Sequence, residues 1–168
     1  MKLRTSIAVA ALAAMVTTRS AVADDKDMAK GGMSAHQIVP ADQMKWGDAP
    51  PSLPKGAKLA VIQGDPSVAG DLVTVRLKMP KGYTFPPHFH PTDEAVTVIT
   101  GSFLMGMGDK IDRRSATMLK PGGWAVMPKN EHHYAIATAP SIVQVHLIGP
   151  FAITYVNPAD DPQKTAAR

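Results

Sequence analysis

Residues 82–101 read GYTFPPHFHPTDEAVTVITG, and within them Gly82, His88, His90, Glu94 and Gly101 fall in the spacing G-x5-H-x-H-x3-E-x6-G. Successive side chains of a strand alternate between faces, so two histidines separated by one residue point the same way and can grip one ion from one side. Glu94 follows at even parity, beyond a Pro-Thr turn. A second stretch, residues 122–133, reads GGWAVMPKNEHH and places Gly122, Pro128 and His133 in G-x5-P-x4-H. Its Pro128-Lys129-Asn130 turn is expected to aim His133 at the first cluster from another strand. His132 has the opposite parity and is expected to point away, leaving it the alternative fourth ligand.

Three imidazoles and one carboxylate suit a divalent transition metal: Fe, Mn, Co, Ni, Zn or Cu. The chain has no cysteine, which excludes disulfides and thiolate ligands. With neutral imidazoles the carboxylate offsets only one of the ion's two positive charges. An octahedral ion would keep two positions free for water, substrate or O2.

Around these clusters lie short β-branched runs punctuated by Gly, Pro and Asp: 59–63, 72–79, 94–100, 102–107, 124–127, 134–138, 142–148 and 153–156. That texture predicts an all-β sandwich or small barrel. Only residues 113–119 suggest a short helix. Residues 38–46 are expected to supply an early strand or a docking segment, and the Pro/Gly-rich 47–56 a wrap or link.

The chain opens with Lys2 and Arg4, an apolar run over 7–16 and Ala21-Val22-Ala23, the layout of a secretory signal peptide cut after Ala23. The apolar run is too short for the ~20 residues that a membrane anchor needs. The expected organisation is a signal peptide over 1–23, a leader and wrapping segment over 24–57, a barrel over 58–157 and a tail over 158–168. A periplasmic or secreted protein follows, with no membrane attachment after cleavage. Loss of Lys2, Arg4 and Arg19 leaves 15 basic against 14 acidic side chains, so the formal charge of +4 gives no case for nucleic acid.

From about Leu59 to Val156 the chain resembles the cupin superfamily, and its tail GPFAITYVNPADDP resembles small exported bacterial members. The resemblance implies a single-domain double-stranded β-helix, or jelly-roll barrel, with His88, His90, Glu94 and His133 at the four metal-ligand positions. It also implies a possible homodimer. Two positions depart from the family pattern: Asn130 stands where Gly is usual, and Ala137 where Asn is frequent. Asn tolerates the left-handed backbone such a turn needs better than most residues.

Several other residues are pocket candidates. Gln144 and His146 share one face of residues 142–148 while Val143, Val145 and Leu147 take the other; the polar pair either reaches a substrate inside the barrel or forms a solvent-facing stripe over an apolar core. Arg76 alternates with Val75 and Leu77 in the same way and is a candidate for anion binding. Met105 and Met107 share a face and pack as core or offer soft sulfur to Cu(I). Trp124, with Tyr83, Phe85, Phe89 and Tyr134, flanks the clusters and is a candidate pocket wall.

The functional expectation is an exported cupin whose open-site transition metal acts on a small oxygenated molecule, in the manner of a dioxygenase. The alternative is a non-catalytic periplasmic module that binds metal or a small ligand. No Ser-His-Asp order, P-loop or dinucleotide fingerprint is present.

Overall fold

The computed structural model describes residues 37–165; the expected signal peptide and residues 24–36 of the expected leader and wrapping segment lie outside the described residues. The strands are β1 (Gly47–Asp48), β2 (Lys58–Gln63), β3 (Leu72–Met79), β4 (Thr84–Phe89), β5 (Glu94–Thr100), β6 (Phe103–Met107), β7 (Thr117–Leu119), β8 (Trp124–Met127), β9 (His133–Ala137), β10 (Ser141–Ile148) and β11 (Thr154–Tyr155). They form two antiparallel sheets, one in the order β1-β2-β3-β10-β5-β8 and one in the order β11-β4-β9-β6-β7. This is the expected all-β jelly roll. Among the described residues no helix is long and apolar enough to cross a membrane.

Alternation builds the core. Val73, Val75 and Leu77 of β3, Val96 and Val98 of β5, and Val143, Val145 and Leu147 of β10 all turn inward and are buried. Burial of apolar side chains from both sheets supplies most of the stabilisation, at about 25 cal/mol per Å² of apolar surface removed from water. Gly101 ends β5 at φ 85°, and a Cβ there would collide with Pro140 and Ser141, so this glycine is required by both conformation and space.

The structure corrects two local expectations. Residues 113–119 form no helix: Thr117–Leu119 pair with Phe103–Met105 as β7, because the open edge of β6 offers ladder hydrogen bonds that a short helix would forgo. Residues 38–46 hold a 3-10 turn at Ala41–Gln43, and the early strand falls just after it, where Gly47 and Asp48 pair with Leu59 and Lys58. The following proline-rich segment packs on its own barrel, with Leu53 only 3% exposed.

Candidate metal centre

A bulge places His88. Phe85 and His88 are three residues apart, so strict alternation would put them on opposite faces, yet both line the same internal cavity. The β4–β9 register shifts between Phe85 and His88, across Pro86 and Pro87, which have no N–H to give to the ladder. The bulge turns His88 inward, and His90 two residues on shares that face. Glu94 begins β5 on its inner side and His133 begins β9 opposite His88.

The two sequence clusters are fastened together at the turn. Asn130 takes φ 63°, the left-handed conformation that its amide side chain tolerates, and its N–H donates to the His90 carbonyl at 2.8 Å. The Lys129 N–H donates to Asp93 Oδ1 at 2.8 Å, giving this exposed carboxylate a structural task. His133 is thereby fixed beside the H-x-H pair. His132 points away: its Nδ1 meets Asp109 at 2.6 Å and its ring stacks on Phe89.

His88, His90 and His133 are buried, and each offers a ring nitrogen within 4.8 Å of the others. Each Nδ1 lies against a backbone carbonyl: Pro86 at 2.7 Å, Ala152 at 2.6 Å and Glu131 at 2.9 Å. Those carbonyls can only accept, so Nδ1 carries the hydrogen and Nε2 is left as a lone pair. The Nε2 atoms of His90 and His133 are buried with no hydrogen-bond partner. They face Glu94 Oε2 at 3.7 and 3.5 Å, too far for good hydrogen bonds.

Electron pairs thus converge on electron pairs in a buried space, an arrangement that a shared cation resolves. Protonation is a poor substitute, because burial, reinforced by the nearby His133 and His90 rings, pushes the His88 imidazole down to about 3. Glu94 is held below the ordinary carboxylate range: burial opposes its charge, but the His133 ring and then the His90 and His88 rings outweigh that effect. The cluster can coordinate a divalent metal ion.

The surrounding cavity is small, about 30 Å³, room for about two waters. Its walls are apolar, including Leu53, Phe85, Phe103, Met105 and Phe151, and its polar lining is confined to His88, His90, Glu94 and His133. Met105 is the pocket candidate found there. Gln144, His146 and Arg76 are not: they lie on the outer face, because Val143 and Val145 take the inner one. Arg76 Nε donates to Gln144 Oε1 at 2.8 Å, the Gln144 amide lies 2.9 Å from His146 Nε2, and His146 Nδ1 lies 3.1 Å from Thr74 Oγ1. Trp124 is 59% exposed on the outside of β8. Sequence reasoning missed Leu53, Phe151 and Ile153 as cavity walls; each is an unremarkable apolar residue outside any strand, with no spacing to mark it.

Residues 66–150 match the Cupin family model, half of the chain. The chain is a cupin. No curated protein matches it. Among solved structures, this cupin is similar to the polyketide cyclase RemF from Streptomyces resistomycificus, at 19% identity and TM-score 0.59 over 79% of this chain and 94% of that one. A protein from Methylibium petroleiphilum proposed to be an acetylacetone dioxygenase shares 19% identity and TM-score 0.58, over 76% and 85%. KdgF from a Halomonas species shares 23% identity and TM-score 0.52, over 68% and 94%. At these identities the likeness is one of fold.

Proposed function

We propose that this cupin is an exported, metal-dependent enzyme acting on a small oxygenated molecule, with His88, His90, Glu94 and His133 as the ligands of one divalent transition metal. The single observation that carries the reading is the set of buried, unpaired Nε2 atoms turned toward a carboxylate. A bound ion would supply Lewis acidity and, if redox-active, electrons for reaction with O2.

The residues of the chain restrict what can bind beside that ion. Three neutral imidazoles and one carboxylate leave one positive charge on a divalent centre, and the described cavity walls hold no other charge. A monoanionic oxygen chelate, such as an enolate, makes the buried assembly neutral; a dianion would leave one negative charge without a partner. Apolar walls suit apolar substituents on that chelate. Glu94 is the one cavity carboxylate able to move a proton, which it could do only by giving up its place at the metal.

This supports a dioxygenase acting on a small β-dicarbonyl compound. The test is O2 uptake by metal-free protein reconstituted separately with Fe, Mn, Ni, Cu or Zn. The expected result is consumption of a β-diketone with Fe alone, and none of oxalate. Equal turnover of oxalate would overturn the charge argument.

The narrowness of the cavity supports a second reading, a non-catalytic periplasmic metal-binding module. Under that reading the protein holds four-coordinate Zn and no added chelate perturbs the site.

A further inference from the structure

The barrel is not closed equally on all sides. On one flank the proline-rich strap spans the sheets: the Tyr83 hydroxyl donates to the Pro54 carbonyl and the Tyr155 hydroxyl to that of Ser52. Leu53, between those anchors, lines both the metal cavity and a shallow groove under the strap. Over the centre, residues 151–153 are held by His90 Nδ1 on the Ala152 carbonyl and by the Phe151 N–H on the Pro66 carbonyl at 2.7 Å.

The opposite flank has no such strap among the described residues. There the sheets end in β8 and β7, which are not paired with one another. Between them lies a cleft of about 240 Å³ lined by Met105, Met107, Leu119, Trp124 and Met127. Met105 is the residue common to this cleft and the metal cavity, and it is only 6% exposed. Met105 therefore lies on the boundary between an open apolar cleft and the buried centre.

A cavity of about 30 Å³ admits no organic chelate until a wall moves. The walls differ in what moving them costs. Leu53 is branched and pinned through its neighbours, and Phe151 belongs to a segment tied at two backbone groups. Methionine is unbranched, with three rotatable bonds and a deformable thioether. We infer that ligands of the buried centre enter through the β7–β8 cleft and that the Met105 side chain is the gate. This extends the proposed function, since a gate has a purpose only if the centre takes a ligand.

Swinging Met105 toward the cleft would join the two spaces without breaking a strand pairing. The methionines and the exposed indole at the rim favour apolar-bodied ligands over hydrated ions. Met105 would then also set the size of substrate admitted.

The test uses full-chain, metal-free protein, so it does not depend on the metal reading, which metal content decides separately. Diethyl pyrocarbonate, a small neutral electrophile, acylates the unprotonated nitrogens of His88, His90 and His133; peptide mass spectrometry follows each rate, with the half-buried His132, outside the cavity, as internal reference. Met105→Phe is expected to slow the buried histidines about tenfold relative to His132, and Met105→Ala to speed them. Met105→Leu, which keeps volume but adds a branch, is expected to slow them severalfold and serves if the Phe variant does not fold. Leu53→Ala and Phe151→Ala are expected to stay within twofold of the parent. Rates that ignore every Met105 variant, or that rise with Leu53→Ala or Phe151→Ala as much as with Met105→Ala, would overturn the gate.

Discussion

Among the described residues, His146 and the trio His88, His90 and His133 belong to two polar groups, one on each face of the same sandwich, and they spend their ring nitrogens differently. On the outer face both nitrogens of His146 are engaged by side chains, in a line running from Arg76 through Gln144 to Thr74. On the inner face each Nδ1 is tied to a backbone carbonyl, while the Nε2 atoms of His90 and His133 are buried without a partner. The outer group is complete as it stands. The inner group leaves buried lone pairs unmet, each at a cost of about 1–3 kcal/mol, and these are the atoms able to coordinate a cation.

Breaking the inner group should have the largest effect. His133→Ala is expected to weaken divalent metal binding by more than the ~10–100-fold that loss of a group hydrogen-bonded to a ligand costs, as read by competition with a chromophoric chelator. His146→Ala should leave that affinity within twofold.

Acid also acts on the inner group. His88 sits at about 3 in the fold, against about 6.5 for a free imidazole, so between those values the unfolded chain binds more protons than the native one. The His88 contribution to stability is thus complete above about pH 6.5 and falls as pH drops toward 3, by at most about 1.4 kcal/mol per pH unit. Urea unfolding of metal-free protein from pH 7 to 4 should show this slope, and His88→Phe should flatten it.

The turn that fastens the clusters gives a smaller effect. Asn130→Val forces a β-branched residue to φ 63° and should cost about 1–3 kcal/mol in urea unfolding, whereas Asn130→Gly should cost nothing measurable. The smallest change is on the outer face: Gln144→Ala is expected to cost about 1 kcal/mol or less and to leave metal content untouched.

The sequence carried the inner group well because its information is local. His88 and His90 differ by two positions, Glu94 follows at even parity, and the Pro128 turn stands at a fixed distance before His133. The left-handed Asn130 was legible for the same reason. What was hidden depends on partners distant in the chain. Counting from Phe85 would turn His88 outward, and only the bulge across Pro86 and Pro87 reverses it. The alternation over residues 142–148 defines two faces, but which of them turns toward the histidine cluster depends on the packing of β10 between β3 and β5. Residues 117–119 became a strand because β6 had an edge to pair, which no local propensity records.

Metal content of full-chain protein after reconstitution tests the central claim most directly, measured by elemental mass spectrometry on the parent, His88→Ala/His133→Ala and His146→Ala. The account predicts close to one equivalent of a divalent transition metal in the parent and in His146→Ala, and almost none in the double variant. Equal metal in all three, or none in the parent, would contradict it.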